Sequence, residues 1–363
     1  MERDRPLTDP ARRPGRGAAS CRAGRFERHA RVAVEDGWDI PEEAPVLRTV
    51  VTEERVRRAI TRNTSPDIPF DRSLNPYRGC EHGCIYCFAR PTHAYLGLSP
   101  GLDFETRLVA RPNIAEALER ELSRPSYRPA TIALGTATDP YQPAERDRGL
   151  TRACLEVLER FGHPVGVVTR GTVVERDIDI LARLAARGLV RVGVSLTTLD
   201  AGLARRMEPR APAPARRLAM IRRLSEAGVP VRAMVSPVVP GLTDPEIEAI
   251  LAAAREAGAV AASWVMLRLP REVSELWQEW LAEHYPDRAA RVMARLREMH
   301  GGRDYAPDWG RRMRGEGPYA ALVGQRFAAA CRREGLAGKL PELRTDLFAP
   351  PPGAGDPAQP SLF

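Results

Sequence analysis

The chain has 363 residues, of which 43% are hydrophobic and 28% are charged, a balance that fits a globular protein with a large core and excludes global disorder. It contains no apolar run of the roughly 18 residues that a membrane span needs. Its arginine-rich start also lacks an apolar signal segment. We therefore expect a cytoplasmic protein with reduced thiols and no membrane contact. The 55 basic and 47 acidic residues give a net charge of +8, but Lys339 is the only lysine, which points to codon composition rather than to phosphate recognition.

Both ends of the chain are predicted to be flexible. The first 32 residues contain nine arginines and four acidic residues with little periodic apolar pattern, so residues 1–44 are predicted to form a disordered arm. Residues 341–363 contain six prolines and are predicted to form a proline-rich tail.

Between the ends, short apolar segments alternate with helical segments, which is typical of βαβ units and a parallel sheet. One strand is predicted near residues 74–77, and five more follow at 131–135, 165–169, 190–196, 231–235 and 261–267. The helices between them are predicted to end at four glycines, Gly162, Gly188, Gly228 and Gly258. The six strands predict an α/β fold with a partial (β/α)6 barrel over residues 60–270, although a doubly wound open sheet has the same local pattern.

The pattern changes after the sixth strand. Residues 273–284, 288–300 and 319–334 have helical periodicity with no strand between them. Residues 271–340 are therefore predicted to form a helical C-terminal extension packed on the barrel.

Three of the six cysteines lie within eight residues, in the order Cys80-Glu-His-Gly-Cys84-Ile-Tyr-Cys87. Soft thiolates at this spacing can surround one metal centre and select zinc or an iron–sulfur cluster. A structural zinc site needs four ligands, and His82 as the fourth would strain so short a loop. On a [4Fe–4S] cube, three cysteines leave one iron open, which is a reactive arrangement. Burial of the three as core residues is the remaining alternative, and the neighbouring glycines, which mark a loop, speak against it.

The motif resembles a known family. With Tyr86 before the last cysteine and a series of βα units behind it, it is similar to the radical S-adenosylmethionine (SAM) superfamily. The longer stretch Asn-Pro-Tyr-Arg-Gly-Cys-Glu-His-Gly-Cys-Ile-Tyr-Cys-Phe-Ala-Arg, residues 75–90, resembles the spore photoproduct lyase-related branch, and within it a bacterial group described as DNA repair photolyase-like. The resemblance covers about residues 60–335.

The resemblance implies a radical SAM enzyme built on a partial (β/α)6 radical SAM barrel. Cys80, Cys84 and Cys87 would bind a [4Fe–4S] cluster, whose open iron would bind SAM. Reductive cleavage of SAM would give a 5′-deoxyadenosyl radical that abstracts hydrogen from a substrate. An electron donor such as flavodoxin or ferredoxin is then expected as a partner.

Ligands of parallel barrels bind at the carboxyl ends of the strands. The second strand ends at Thr136 and Asp139, where the resemblance implies binding of the methionyl amino group; for Asp139, a capped turn before Pro140 is the alternative. The resemblance puts Thr169 and Ser195, at the next two strand ends, near the ribose and the carboxylate.

Two further cofactor residues are expected. Arg210 would pair with the carboxylate of SAM, with a solvated surface arginine as the alternative, and Tyr86 would lie beside the cofactor. No residue is assigned to handling the substrate.

The resemblance breaks at one position. Spore photoproduct lyases carry a further cysteine at the end of the second strand that donates hydrogen to the substrate radical, but residues 133–140 contain none, and Cys154 lies in the following helix. This departure speaks against repair of spore photoproduct and leaves the substrate open. DNA is one expected partner, and modification of a protein or a small molecule is the alternative. A non-catalytic zinc protein that binds nucleic acid is a third hypothesis.

The chain ends in Gln359-Pro-Ser-Leu-Phe363, which resembles the short peptide by which bacterial repair proteins dock on the DNA sliding clamp. A flexible tether carrying two apolar anchors and one glutamine fits such a pocket. An inert tail is the equal alternative. The sequence therefore makes the sliding clamp a candidate partner.

Overall fold

The structure is a computed structural model that describes residues 8–26, 46–337 and 340–351. Within these residues the chain forms ten strands. They are β1 (Val50–Glu53), β2 (Ile60–Arg62), β3 (Arg72–Leu74), β4 (Tyr77–Arg78), β5 (Arg107–Ala110), β6 (Ile132–Leu134), β7 (Val165–Thr169), β8 (Val190–Ser195), β9 (Val231–Val238) and β10 (Ala261–Met266).

The same described residues contain α-helices between and after the strands. They are α1 (Asp103–Thr106), α2 (Ile114–Leu122), α3 (Glu145–Arg148), α4 (Leu150–Arg160), α5 (Ile178–Ala186), α6 (Ala201–Met207), α7 (Pro214–Glu226), α8 (Ile247–Glu256), α9 (Glu272–His284), α10 (Pro286–Met299) and α11 (Gly317–Glu334). None of the described helices is long and apolar enough to span a membrane.

The main sheet has the order β10-β9-β8-β7-β6-β3-β2. Six of its strands run parallel, and β2 pairs antiparallel with β3 at one edge. The predicted α/β fold with six parallel strands is therefore confirmed, and the sheet does not close, because β10 and β2 are its two edges. The four predicted helix-ending glycines all have positive φ, between 58° and 99°.

The strand predicted near residues 74–77 is instead two strands in two sheets. Chain direction changes at Asn75-Pro76, after β3, and β4 then joins a second sheet of order β1-β5-β4. Proline lacks the backbone N–H that a continuous central strand would need. The consequence is that β4 leads out of the main sheet directly into the cysteine motif.

The disordered arm predicted for residues 1–44 is wrong for residues 8–26, which pack against the molecule; residues 1–7 and 27–44 lie outside the described residues. Arginines that look solvated in the sequence pair with glutamates of α9: Arg13 with Glu283 at 2.8 Å and Arg25 with Glu272 at 3.1 Å. Small residues allow close approach, since a Cβ added at Gly17 would lie 1.9 Å from the carbonyl oxygen of Gly83. These long-range contacts leave no periodic signal in the sequence.

The tail predicted for residues 341–363 is wrong for residues 341–351, which cross the amino-terminal side of the sheet. Arg344 N donates to Gly188 O at 3.1 Å, and Ala349 N donates to Phe161 O at 3.0 Å. The Phe348 ring packs 5.5 Å, centroid to centroid, from His163. The proline-containing segment 341–351 is therefore an extended chain bound to the sheet. Gln359–Phe363 lies outside the described residues.

We predict that Gly17→Ala destabilises the protein by about 1–3 kcal/mol, because the added methyl group overlaps the backbone of the cysteine loop. Gly324→Ala is the matched control, since its Cβ would meet Trp264 at an ordinary 3.6 Å within a helix, where alanine is favoured. Urea unfolding of the two variants checks this, and equal midpoints for Gly17→Ala and the parent chain would contradict the close packing of the N-terminal segment.

Candidate functional site

The cysteine loop, residues 79–90, follows β4 at the carboxyl ends of the parallel strands. Gly79 and Gly83 have φ of +76° and +66°, which lets the chain turn tightly around the thiols. Cys80 and Cys84 are buried and Cys87 is partly exposed. Burial raises the pKa of the Cys80 thiol well above its usual value and raises that of Cys84 to about 12. Both thiols therefore keep their protons at neutral pH until a metal displaces them.

A buried ion pair holds the cysteine loop in place. Arg90 and Glu105 have fully buried side chains in contact at 2.5 Å. The Arg90 guanidinium also donates to the carbonyl oxygens of Cys84 at 2.9 Å and Gly83 at 3.1 Å. Glu105 accepts two backbone amides of the N-terminal segment at 2.8 and 2.9 Å. One carboxylate thus joins the loop, its following turn and the N-terminal segment.

Asp139 joins the ends of β6 and β7 to the same loop. Its carboxylate accepts hydrogen bonds from Thr169 Oγ1 at 2.6 Å, Arg170 N at 2.9 Å and Tyr141 N at 2.9 Å. His82 Nδ1 lies 3.3 Å away. Burial alone would raise the pKa of Asp139, but the neighbouring His82 and these hydrogen bonds hold it at about 2. The geometry favours the capped-turn alternative for Asp139, because hydrogen bonds within the protein already occupy its two carboxylate oxygens.

A second buried carboxylate, Glu208, lies at the ends of β7 and β8. It contacts Arg170 at 2.6 Å and accepts from Thr197 Oγ1 at 2.7 Å, and it also contacts the Arg217 guanidinium and the Tyr86 hydroxyl. Burial would raise the pKa of Glu208, but the two guanidinium groups lower it to about 2. Tyr86 therefore points its hydroxyl into a charged network rather than toward open space.

The other predicted cofactor residues lie around the same loop and differ in their exposure and in their hydrogen-bond partners. Arg210 is exposed and donates to the Glu81 carboxylate at 3.2 Å, so it is already paired with a residue of the loop. Thr136 is half-buried and within 3.4 Å of the Asn75 amide. Ser195 is buried at the end of β8. The structure thus brings all six predicted residues to one end of the barrel.

The inner face of the sheet, which lines the lumen of the partial barrel, is less completely buried than its outer face. Along β7, β9 and β10, fully buried residues alternate with partly exposed ones, so one sheet face packs on helices and the other lines a lumen. Ser195 pairs in register with Met234, and Met234 with Ser263, so these three share the lumen face. Ser236, in the same alternation, has a buried hydroxyl with no hydrogen-bond partner within the described residues. The lumen is where a ligand can meet the loop.

Several residues that build this site were missed from the sequence. Glu208 and Arg217 form the charged network, Arg90 and Glu105 fix the loop, and Gln142 accepts the Glu81 amide at 2.9 Å. Arg217 could have been found, because it replaces an apolar residue on the inner face of α7. The others lie in loops or short helical turns, and their partners are distant in sequence.

The three thiols do not converge on one point. Within residues 8–26, 46–337 and 340–351, no group of three or more His, Cys, Asp or Glu side chains is arranged to hold a single metal ion. An iron–sulfur cluster instead spreads its thiolate ligands over several iron atoms.

Residues 74–254 match the family model of the Radical SAM superfamily. An uncharacterized protein of Mycobacterium tuberculosis is 40% identical over 273 residues, covering 75% of this chain and 76% of that protein. An uncharacterized protein of Methanocaldococcus jannaschii is 25% identical over 173 residues, covering 48% of this chain and 62% of its own length.

Solved structures of spore photoproduct lyase have a similar fold. The enzyme complexed with dinucleoside spore photoproduct superposes with a TM-score of 0.56 at 15% identity, covering 79% of this chain and 80% of that one. A variant with bound AdoMet and the same dinucleoside gives a TM-score of 0.55 at 15% identity and the same coverage. At this identity the likeness is one of fold.

We predict that Glu208→Gln lowers the free energy of unfolding by about 3–5 kcal/mol at pH 7, because it leaves the buried Arg217 and the partly buried Arg170 without their carboxylate. The folded-state pKa of Glu208 is depressed to about 2, so its stabilising charge is present above the unfolded pKa and is lost as the pH falls toward 2. Urea unfolding from pH 7 to pH 3 should show a constant gap from the parent chain above about pH 5 that narrows below about pH 4.5. A gap independent of pH would contradict the ionised network.

Proposed function

We propose that this chain, which belongs to the radical SAM superfamily and is an enzyme of that class, binds a [4Fe–4S] cluster through Cys80, Cys84 and Cys87. The observation that carries the proposal is the position of these thiols on one rigid loop at the carboxyl ends of six parallel strands. When bound, the cluster supplies the electron that cleaves SAM to methionine and a 5′-deoxyadenosyl radical.

The donor set fits such a cluster. Three soft thiols on one loop satisfy three irons and leave one without a protein ligand, the position that SAM would take. The Asp139–His82 contact and the Arg90–Glu105 ion pair hold opposite parts of the loop, so the thiols keep their positions relative to the lumen. Arg90 also donates a hydrogen bond to the carbonyl oxygen of Cys84, which would otherwise be a buried acceptor without a partner.

The lumen face provides groups for SAM itself. We propose that Thr136 and Ser195, with the unpartnered hydroxyl of Ser236, offer hydrogen bonds to its polar groups. The other four predicted residues already have protein partners, so their role would be to position the loop and the strand ends around the cofactor. They are Tyr86, Asp139, Thr169 and Arg210. A flavodoxin or ferredoxin would supply the electron.

For the substrate, we propose a DNA-related molecule, and the support is the likeness in fold to spore photoproduct lyase. The C-terminal peptide Gln359–Phe363 as a sliding-clamp ligand would agree with it. Modification of a protein or a small molecule is the second candidate, favoured by one observation. Residues 133–140 contain no cysteine, and Cys154 is fully buried in α4, away from the lumen.

The cluster proposal predicts about four irons per chain after anaerobic reconstitution. Cys84→Ala should abolish iron binding, because the loss of one of three thiolates leaves too few ligands. Cys154→Ala, which removes a buried thiol from α4, is the matched control and should bind iron as the parent chain does. Iron and sulfide analysis checks this. Stoichiometric zinc without visible absorbance in the anaerobic protein would overturn the proposal.

The SAM proposal predicts that the reduced protein releases 5′-deoxyadenosine from SAM even without substrate. Thr136→Ala and Ser195→Ala should each weaken SAM binding about tenfold through a lost hydrogen bond, with unchanged iron content. Thr52→Ala, on the exposed strand β1, is the control. Chromatographic assay across SAM concentrations separates binding from turnover. Lost iron in the two variants, with normal SAM affinity in the remaining holoprotein, would contradict this assignment.

A further inference from the structure

A cavity of about 850 Å³ lies at the opposite end of the barrel from the cysteine loop. Its walls include Thr131, Arg191 and Arg232 from the amino ends of β6, β8 and β9, together with the loop between β2 and β3. Residues 340–345 of the C-terminal segment cover part of it. Its volume lies within the range of about 300–1,000 Å³ that is typical of small-molecule sites.

Two arginines project into this cavity from the lumen face of the sheet. The register pairs Gly193, two residues after Arg191, with Arg232, so the two guanidinium groups lie diagonally on neighbouring strands. Neither makes an ion pair with any acid in residues 8–26, 46–337 or 340–351, and the buried Nε of Arg232 has no hydrogen-bond partner there. Arg191 makes one long contact, at 3.5 Å, with the Pro341 carbonyl oxygen.

The acids that line the cavity do not neutralise these charges. Asp71 accepts from Arg72 at 2.7 Å and lies 3.4 Å from Arg62. Glu342, the other acid in the lining, also has a partner of its own. Burial lowers the pKa of Arg232, and the charge of Arg191 lowers it further, because the two like charges repel each other across neighbouring strands.

We propose that the cavity binds a small anionic molecule of up to about nucleotide size, with its phosphate or carboxylate oxygens held between Arg191 and Arg232. Guanidinium groups recognise both kinds of oxygen through paired hydrogen bonds. An anion here would satisfy the free Arg232 Nε and remove the repulsion between the two arginines. The site does not involve the cysteines, so it is independent of the proposed cluster.

The test measures ligand binding by the full chain at constant ionic strength, by calorimetry and by thermal unfolding. AMP is the phosphate probe, citrate is the carboxylate probe, and adenosine is the uncharged control. We expect AMP, citrate or both to bind saturably and raise the unfolding temperature, while adenosine does not. The probe that binds identifies which kind of oxygen the site prefers, and binding of neither would overturn the proposal.

Arg191→Gln and Arg232→Gln should each weaken anion binding about tenfold or more, because each removes charge-assisted hydrogen bonds. Arg222→Gln, which removes one exposed charge from α7, should bind as the parent chain does. Without anion, Arg232→Gln should unfold at or above the temperature of the parent chain, since it removes a partly buried charge without an ion-pair partner among the described residues. With anion, this order should reverse. Equal affinity in the parent chain, Arg191→Gln and Arg232→Gln would overturn the proposal.

Discussion

The buried ion pair between Arg90 and Glu105 is the contact on which the rest of the site depends. Packing of residues 84–86 in the core does not satisfy the backbone carbonyl oxygens that the loop buries. Arg90 takes the carbonyl oxygens of the loop as acceptors, and Glu105 binds both Arg90 and the N-terminal segment. Since neither charge meets solvent, losing one partner would leave the other unpaired, at a cost of several kcal/mol. The loop is thereby coupled to Gly17 and Ala18, which lie far from it in the chain.

Two other carboxylates fix the loop from the side of the barrel. Asp139 ties His82 to the ends of β6 and β7, and Glu208 ties Tyr86 to the ends of β7 and β8. Both stay ionised to a pH of about 2 because of their cationic and hydrogen-bonding neighbours. The carboxyl ends of the strands are therefore a rigid, charged rim around an open lumen. A reactive radical requires such a frame, since reacting groups must be held in position and water kept out.

Much of the fold could be predicted from the sequence because it rests on local patterns. Apolar strands, helix-ending glycines and the cysteine spacing are all read within windows of a few residues, and they gave the parallel sheet and the position of the loop. The packed segments 8–26 and 341–351 could not be predicted, since each is held by single contacts to distant residues, such as Arg13 with Glu283. Arg210 and Asp139 show the same limit, because the sequence predicts them beside the cofactor. In the structure, Arg210 pairs with Glu81, and Asp139 accepts a hydrogen bond from Thr169. A sequence shows which side chains can bind a ligand, but it does not show which of them already pair with other residues of the folded protein.

The most direct test of the central claim is the electron paramagnetic resonance spectrum of the reduced, anaerobically reconstituted protein, recorded with and without SAM. A cluster held by Cys80, Cys84 and Cys87 has one iron without a protein ligand, so about one unpaired spin per chain should appear and its g-values should change when SAM is added. The exposed iron is what distinguishes this site from a structural one. A reduced cluster whose spectrum is unaffected by saturating SAM, or a protein with no iron signal, would contradict the account.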